Sequence, residues 1–187
     1  MNDYLKRCSR RMSKILRHDS EGLEMDSKGW IKSNDLTKHF NISMNDLIEI
    51  VDTNDKKRFV FNTDKSLIRA AQGHSNGIAT DKEYPCITMS QAEFNLYHGT
   101  DKLTAEKILN SSINTGSRNH VHWTKNIALA TKRAEQRKNQ TKAEAVFIVL
   151  DGKKYMSDGN KIYVSENEVY LTDEVPAKYL RIEYIKY

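Results

Sequence analysis

Residues 58–70 read Arg-Phe-Val-Phe-Asn-Thr-Asp-Lys-Ser-Leu-Ile-Arg-Ala, and this stretch decides how the first half of the chain folds. Two short apolar or alternating runs, Arg58–Phe61 and Leu67–Ala70, flank the polar turn Asn-Thr-Asp-Lys. Alternation of this kind on both sides of a polar turn is typical of two paired strands. The sequence therefore predicts a β-hairpin here.

Upstream of the hairpin, the spacing of apolar residues predicts a short strand at Trp30-Ile31 and helices over 4–18, 34–40 and 44–52. The last helix has a clear start, because Ser43 with Asp46 resembles a capping box. Three helices followed by a hairpin describe a small winged-helix-like lobe.

The first helix has one apolar face and one cationic face at helical periodicity. Residues 5–18 contain no acid, and the cationic face consists of Arg7, Arg10, Arg11, Lys14, Arg17 and His18. A solvated face normally mixes both signs of charge, so we interpret this face as one that meets a polyanion. The whole chain has 187 residues and a net charge of +5, which favours the same kind of partner.

Residues 76–93 are polar and irregular, with Gly77 and Pro85, and they are the best candidate for a linker. The second half then reads as mostly strands with two helices, over 101–111 and 126–138. We therefore predict an α+β protein with a boundary near residue 90, giving lobes over 1–90 and 91–187.

Several classes of protein are excluded or disfavoured by composition. No stretch is apolar for 18 residues, and the N-terminus lacks the apolar core of a secretory signal. Cys8 and Cys86 form no CxxC pair, which favours a reduced, cytoplasmic protein. We also expect a monomer with no membrane association.

Five of the six histidines lie in short motifs beside Arg, Gly or another His. These motifs are Arg17-His18, Gln72-Gly73-His74-Ser75, Tyr97-His98-Gly99-Thr100 and Arg118-Asn119-His120-Val121-His122. Proton carriers that titrate near neutral pH, beside permanently charged guanidinium groups, suit a site that handles phosphate. The motifs are spread over more than 100 residues, so the fold must gather them.

Two motifs suggest specific ligands. Tyr97-His98-Gly99-Thr100 is predicted to leave a strand and open a helix, where Gly admits a ligand and Thr places a hydroxyl near a helix N-terminus suited to pyrophosphate. Period-2 geometry predicts Arg118, His120 and His122 on one face of a strand. His-x-His is also a zinc spacing, but the crowded Arg and the lack of an obvious third ligand favour an anion, and we predict no metal.

Taken in order, the motifs resemble the NAD-dependent RNA 2′-phosphotransferase family (tRNA 2′-phosphotransferase). The matching stretches are Ser13-Lys14-x-Leu16-Arg17-His18, Gly22-Leu23 to Gly29-Trp30, Asn54-Asp55-Lys56-Lys57-Arg58-Phe59, Arg69-Ala70-Ala71-Gln72-Gly73-His74-Ser75, Leu96-Tyr97-His98-Gly99-Thr100, Arg118 to His122, and Ser165-Glu166-Asn167-Glu168-Val169-Tyr170. They span nearly the whole chain.

The resemblance implies an N-terminal winged-helix-like lobe that holds RNA and a C-terminal ADP-ribosyltransferase-like lobe, a mixed β-sheet, that binds NAD. It implies that the RNA 2′-phosphate is transferred to NAD, which is consumed. The products would be RNA with a 2′-hydroxyl, ADP-ribose 1″,2″-cyclic phosphate and nicotinamide. The substrate would be a 2′-phosphorylated tRNA-like RNA or oligonucleotide of the kind met in tRNA splicing.

The resemblance also implies roles for residues. The catalytic set would be Arg17, His18, Arg58 and Arg118, with the arginines neutralising phosphate charge and His18 as general base. The NAD site would use His98, Gly99, Thr100 and His122, and the RNA phosphate would meet Arg69, Gln72, His74 and Ser75. Val169 stands where many protein-modifying relatives of that fold have Glu, which argues against protein ADP-ribosylation.

Two alternatives remain open at this stage. The same fold would suit an ADP-ribosyltransferase that caps terminal phosphates of RNA or DNA. A non-catalytic winged-helix nucleic-acid binder would explain the basic helix but would leave the motifs at 97–100 and 118–122 without a use.

Overall fold

The computed structural model describes residues 2–92 and 95–185. Glu93, the last residue of the predicted linker, therefore lies outside the described residues. The chain divides into two compact units, which we call unit 1 (Met1–Glu83 with Ser117–Asn119) and unit 2 (Tyr84–Gly116 with His120–Tyr187). Both units combine helices and strands, as the α+β prediction requires. Within the described ranges, no helix is both long and apolar enough to cross a membrane.

The described residues of unit 1 form three helices and one small sheet. Its elements in chain order are α1 (Asp3–Ile15), β1 (Ile31–Lys32), α2 (Ser33–Phe40), α3 (Met44–Asp52), β2 (Phe59–Phe61) and β3 (Leu67–Ala70). The sheet order is β1-β3-β2, and both pairs of neighbouring strands are antiparallel. Phe59 pairs with Ala70 and Phe61 with Ile68, so the predicted hairpin is confirmed.

The apolar face of α1 builds the core of unit 1. Its buried residues Met12, Ile15 and Leu16 belong to the same cluster as Ile68 of the hairpin. Helix α3 begins with the predicted capping box, in which the amide of Asp46 donates to Ser43 Oγ at 3.1 Å and the amide of Ser43 donates to Asp46 Oδ2 at 2.9 Å. The local signals in this half of the sequence therefore agree with the packing.

The first helix is shorter than predicted. It ends at Ile15, with Leu16 as its C-cap, so Arg17 and His18 lie in the following turn. The amides of Arg17 and His18 both donate to the carbonyl of Lys14, at 3.2 and 2.9 Å. Beyond the end of the helix, the carbonyl of Arg17 accepts a hydrogen bond from the distant amide of Ser75, at 2.9 Å.

Unit 2 contains three α-helices and three small sheets in its described residues. Its elements are β4 (Leu96–Asp101), α4 (Lys102–Leu109), β5 (Ser112–Ile113), β6 (Val121–Trp123), α5 (Ile127–Thr141), β7 (Ala145–Leu150), α6 (Gly152–Ser157), β8 (Tyr163–Val164), β9 (Tyr170–Thr172), β10 (Val175–Pro176) and β11 (Leu180–Tyr184). The sheet orders are β11-β7-β4, β6-β9-β8 and β10-β5. Every strand pair is antiparallel, so the described strands do not form the mixed sheet that was predicted.

Strand β7 is the centre of unit 2. All six of its residues are buried, because α5 and other elements cover the sheet that it forms with β4 and β11. The two sheets that carry β4 and β6 are joined by an isolated antiparallel bridge between Tyr97 and Thr124. Both backbone hydrogen bonds of this bridge are present, at 2.8 and 3.0 Å.

Three boundaries in unit 2 differ from prediction. Strand β4 continues to Asp101, because each residue from Leu96 onward pairs with a residue of β7. Strand β6 begins only at Val121. Helix α6 was not predicted, since its six residues are too few to show a helical pattern.

Candidate active site

Ser75 lies where three separated segments of unit 1 meet. Its amide donates to the carbonyl of Arg17 at 2.9 Å, and its Oγ lies 2.8 Å from Nδ1 of His18. On its other side, Ser75 forms an isolated antiparallel bridge with Arg118. Three of the four predicted catalytic residues, Arg17, His18 and Arg118, are therefore gathered around one serine.

Backbone hydrogen bonds hold the segment Ser117–Asn119 in unit 1. The amide of Asn76 donates to the carbonyl of Ser117, and the amide of Asn119 donates to the carbonyl of His74, both at 3.1 Å. The side-chain amide of Asn119 donates to the carbonyl of Ile78 at 2.9 Å. Arg118 is thus fixed at the backbone while its own side chain is exposed.

The position of Arg118 corrects the predicted strand from Arg118 to His122. Arg118 belongs to unit 1, whereas His120 and His122 belong to unit 2, and only Val121–Trp123 forms a strand. Period-2 geometry does not apply across this segment, because residues 119 and 120 bend between the bridge to Ser75 and the start of β6.

The surroundings of His18 favour its neutral form. Burial lowers the pKa of His18 below its ordinary value, and the charges of Arg17, Arg118 and Lys14 lower it further in that order. An imidazole that stays neutral at physiological pH has a lone pair on one ring nitrogen, so it is able to accept a proton.

Gly73 explains how the backbone approaches Arg17. Its φ of +88° is in the left-handed region, and a Cβ at this position would lie 3.6 Å from the guanidinium carbon of Arg17. The peptide therefore packs against the guanidinium group, which restricts where that side chain can move. Gln72, the preceding residue, is half-buried.

Arg58, the fourth predicted catalytic residue, is connected to this region through its backbone. Its carbonyl accepts from the amide of Ala71 at 2.8 Å, directly before Gln72. Its guanidinium lies 3.9 Å from the carboxylate of Asp55 and is 29% exposed. Its amide donates to Oδ1 of the buried Asn54 at 3.0 Å.

The remaining predicted RNA contacts differ in how they are held. The guanidinium of Arg69 stacks over the ring of Trp30, with 4.2 Å between the guanidinium carbon and the ring centroid. His74 is only 2% exposed, and its ring packs against Gly29, where a Cβ would lie 3.3 Å from Nε2. The buried ring of His74 thus helps to hold its own backbone in place, and the carbonyl of His74 is the one that accepts a hydrogen bond from the amide of Asn119.

The predicted cofactor residues lie in the sheets of unit 2. His98 of β4 places Nδ1 3.0 Å from the carbonyl of His122, and its ring meets Trp123 edge to face at 5.9 Å. A carbonyl only accepts, so Nδ1 carries the hydrogen and Nε2 is the acceptor nitrogen when the ring is neutral. The indole of Trp123 donates to Thr172 Oγ1 at 2.9 Å in the buried interior.

Gly99 and Thr100 are placed differently from the sequence prediction. Both lie inside β4, and the helix that follows is capped by Asp101, whose Oδ1 accepts from the amide of Thr104 at 3.0 Å. A Cβ on Gly99 would overlap the carbonyl oxygen of Ala130 and lie 2.8 Å from the amide nitrogen of Ala134. Glycine is therefore required here for the close approach of α5, not to admit a ligand.

His120, the first histidine of the His-x-His pair, packs against aromatic rings of unit 2. His120 meets Tyr84 and Tyr163 edge to face, with ring centroids 5.5 and 6.4 Å apart. Burial lowers the pKa of His120. The negative charge of Asp173 acts in the opposite direction and offsets only part of this effect. Over residues 2–92 and 95–185, no three His, Cys, Asp or Glu side chains come together in a group that could hold a metal ion.

Sequence reasoning gave no role to Asn54 and Asn119, yet both fix the backbone beside a predicted catalytic arginine. Asn54 stands directly before a charged run, and Asn119 stands directly after Arg118. These positions could have indicated the role, since Asn side chains commonly form hydrogen bonds to nearby backbone.

Comparison with known proteins gives a consistent result. A family model described as "RNA 2'-phosphotransferase, Tpt1 / KptA family" matches residues 3–174. A protein of Flavobacterium johnsoniae named "Probable RNA 2'-phosphotransferase" is 39% identical, over 98% of this chain and 100% of that protein. Proteins of the same name from Hahella chejuensis and Fusobacterium nucleatum are each 35% identical, over 97% and 94% of this chain and 96% and 97% of their own lengths. The match covers both units, and the chain therefore belongs to the RNA 2′-phosphotransferase (Tpt1/KptA) family.

Proposed function

We propose that this protein removes a 2′-phosphate from RNA by transferring it to NAD, giving 2′-hydroxyl RNA, ADP-ribose 1″,2″-cyclic phosphate and nicotinamide. The observation that carries the proposal is the convergence of Arg17, His18 and Arg118 on Ser75 in unit 1. Fixed cations beside a neutral imidazole suit a reaction that concentrates negative charge on phosphate oxygens.

Each residue of this set has a distinct task. Arg17 and Arg118 orient the phosphate and neutralise its charge, and Arg58 contributes a third guanidinium from the neighbouring segment. His18, whose pKa is lowered by partial desolvation and by the surrounding cations, accepts the proton of the ADP-ribose 2″-hydroxyl as that oxygen bonds to the phosphorus and the bond to the RNA 2′-oxygen breaks. Hydrogen bonds and a bridge fix the backbone of Arg17, Arg58 and Arg118 before substrate arrives, so only their side chains have to reorganise.

The cofactor residues of unit 2 are compatible with a dinucleotide. The Nδ1–H of His98 donates to the carbonyl of His122, which fixes the orientation of the ring between β4 and β6. We propose that His98 and His122 hold NAD, and that Gly99 lets α5 pack closely against the strand that carries His98 and Thr100. NAD supplies the ribose carbon that receives the phosphate and the nicotinamide that leaves.

We further propose that the first lobe is winged-helix-like and holds RNA, and that the second is ADP-ribosyltransferase-like. The three helices and hairpin of unit 1 support the first assignment. In unit 2, Val169 follows a turn in which its amide donates to Ser165 Oγ at 3.1 Å. This position has no carboxylate, so the reaction on protein acceptors that a glutamate would promote is disfavoured.

Product analysis tests the proposal. The protein is incubated with NAD, without added metal, and with an oligonucleotide that carries one internal 2′-phosphate. We expect loss of that phosphate together with one equivalent each of nicotinamide and the cyclic phosphate. Stable ADP-ribosylated strand ends on a 5′-phosphorylated oligonucleotide would favour the capping activity instead, and binding without any turnover would favour the non-catalytic reading.

Arg118→Ala provides the matching variant. Because a fixed cation at the phosphate is lost, we expect kcat to fall by about a hundredfold or more, the usual cost of one oxyanion-stabilising donor. RNA binding should survive in part, since the other cations remain. Arg133→Ala, which removes an exposed guanidinium from α5, should leave turnover nearly unchanged. An equal loss in both variants would contradict the role given to Arg118.

A further inference from the structure

The loop after α1, which carries Arg17 and His18, is held at its far end by an acidic side chain. Glu21 follows His18 by three residues in the sequence. Its Oε2 accepts hydrogen bonds from two nitrogens of the Arg11 guanidinium, from Nη2 at 2.5 Å and from Nε at 3.1 Å. Because Arg11 belongs to α1, this contact ties the loop back to the helix from which it departs.

A second helix reaches the same oxygen. Nε2 of His39, in the last turn of α2, lies 3.3 Å from Oε2 of Glu21. The adjacent ring of Phe40 meets the ring of His39 edge to face at 5.1 Å, and the Arg11 guanidinium lies 5.9 Å from its centroid. We call Arg11, Glu21 and His39 the Glu21 cluster. It joins α1, α2 and the loop at one carboxylate, whose side chain is only 21% exposed.

The backbone at Glu21 needs such support. Its φ is +51°, in the left-handed region that residues with a side chain seldom adopt. A conformation of this kind persists where the surrounding contacts hold it in place. The amide of Glu21 donates to Asp19 Oδ1 at 3.0 Å, and the Glu21 cluster holds the side chain. Together they fix the path of the chain just after His18.

The segment with Arg17 and His18 is therefore held on both sides. Before it, the amides of Arg17 and His18 donate to the carbonyl of Lys14. After it, Glu21 is tied to the two helices. Between these supports, Nδ1 of His18 lies 2.8 Å from Ser75 Oγ, a distance that a shift of the loop would change.

We propose that Glu21 is a positioning residue, which holds Arg17 and His18 in place for the reaction through its contacts with two helices. The inference rests on the proposed function. The Arg11 side chain is 57% exposed, and an ion pair with such an exposed partner contributes little to global stability. The consequences of losing it are therefore expected at His18 and not in the unfolding transition.

Glu21→Gln tests the proposal, since it keeps the length of the side chain and removes the charge that Arg11 pairs with. Steady-state kinetics use NAD and an RNA oligonucleotide with one internal 2′-phosphate. We expect kcat to fall about fivefold, the upper end of what an exposed ion pair contributes. The KM for NAD should stay as in wild type, because the proposed NAD residues lie in unit 2.

Glu24→Gln is the matched control. Glu24 lies in the same connection between α1 and β1, and its carboxylate pairs with Lys32 at 3.4 Å, but its side chain is 83% exposed. This variant loses the same charge and one ion pair without touching the Glu21 cluster. Its kcat should stay within about 1.5-fold of wild type. An equal loss of kcat in the two variants would overturn the positioning role.

NMR titration of the His18 ring gives a readout that does not depend on turnover. Burial is the largest cause that lowers the pKa of His18, so a loosened loop that exposes the ring should raise it. Removing a negative charge acts in the opposite direction, so a rise in Glu21→Gln reports the movement of the ring. An unchanged or lower pKa would contradict the proposal. Absence of product with wild-type protein would instead refute the proposed function, and the titration would still test the positioning of His18.

Glu21→Gly separates the side chain from the backbone conformation. Glycine adopts a φ of +51° without steric cost, so this variant should fold about as well as wild type, as circular dichroism would show. Its kcat should still fall, because the contacts with Arg11 and His39 are gone. A wild-type kcat in Glu21→Gly would show that the Glu21 side chain does not position the loop.

Discussion

The two units place their candidate residues on different kinds of structure. In unit 1, Arg17 and His18 lie in a turn after α1, Ser75 lies in the loop after β3, and Arg118 lies on a short inserted segment. In unit 2, His98, Gly99 and Thr100 lie inside β4, and His122 lies inside β6.

In unit 1 the candidate site residues lie outside the elements that form the core, whereas in unit 2 they lie on strands that also form the core. A side chain on a loop of unit 1 is replaceable without opening the core, because the core there is made by α1, α2, α3 and the hairpin. The site residues of β4 share their strand with Leu96, a fully buried core residue. Substitutions in unit 2 are therefore expected to disturb folding before they reveal a role in binding.

Gly99→Ala should give the largest effect. The added methyl group would meet backbone atoms of α5, which cannot rotate away as a side chain can. We expect the free energy of unfolding to fall by about 3 kcal/mol or more, at the upper end of overpacking costs. Urea denaturation followed by circular dichroism measures it.

Gly152→Ala is the control for that substitution. Its nearest neighbour would be Ile162 Cδ1 at 3.4 Å, an ordinary contact with a flexible side chain. We expect a change below about 1 kcal/mol, since alanine is also the better helix former at this first position of α6. Similar unfolding curves for both variants would mean that the contact between β4 and α5 is not tight.

Asn54→Ala should have an intermediate effect in unit 1. It removes the acceptor for the amide of Arg58, and an unsatisfied donor of this kind costs about 1–2 kcal/mol of unfolding free energy. Ser9→Ala is the control, because it removes the partner of Asn54 Nδ2 and leaves the acceptor for the amide of Arg58 in place. If Asn54→Ala is no more destabilising than Ser9→Ala, the hydrogen bond to Arg58 does not contribute.

The smallest effect concerns pH. Burial and then the charges of Arg17, Arg118 and Lys14 hold the pKa of His18 below its ordinary 6.5. Activity that needs neutral His18 is therefore retained on acidification until the pH falls through this lowered pKa. Lys14→Gln removes one cation and should raise that pKa, moving the acid limb to higher pH.

NMR titration of the His18 ring measures this shift directly. Lys38→Gln, on α2, removes an equivalent charge. Lys38 is not one of the charges that lower the pKa of His18, so the His18 ring in this variant should titrate as in wild type. A fall in the pKa of His18 after Lys14→Gln would contradict the electrostatic explanation.

The sequence predicted best where local chemistry sets the structure. The hairpin at 58–70 and the capping box at Ser43 were both recognisable from neighbouring residues. What it missed depends on distant partners. The turn after α1 is hydrogen-bonded to Ser75, and β4 is paired along its whole length with β7, and neither partner is near in sequence.

The candidate site shows the same limit. The motifs identified Arg17, His18 and Arg118, but no spacing rule shows that they converge on Ser75 through hydrogen bonds and a bridge. The sequence correctly indicated that the lack of a side chain at Gly99 matters, but the predicted reason, room for a ligand, was wrong. Its lack of a side chain serves the packing of α5, which becomes apparent only when Ala130 and Ala134 are placed against it.

The segment Ser117–Asn119 also affects how the molecule is made. During synthesis on the ribosome, residues 1–83 emerge first, with the turn of Arg17 and the loop of Ser75 already present. The bridge partner Arg118 follows only after 34 further residues have been added, as the numbering from 84 to 117 shows. The nascent first unit therefore lacks the guanidinium of Arg118 until this later segment has been added.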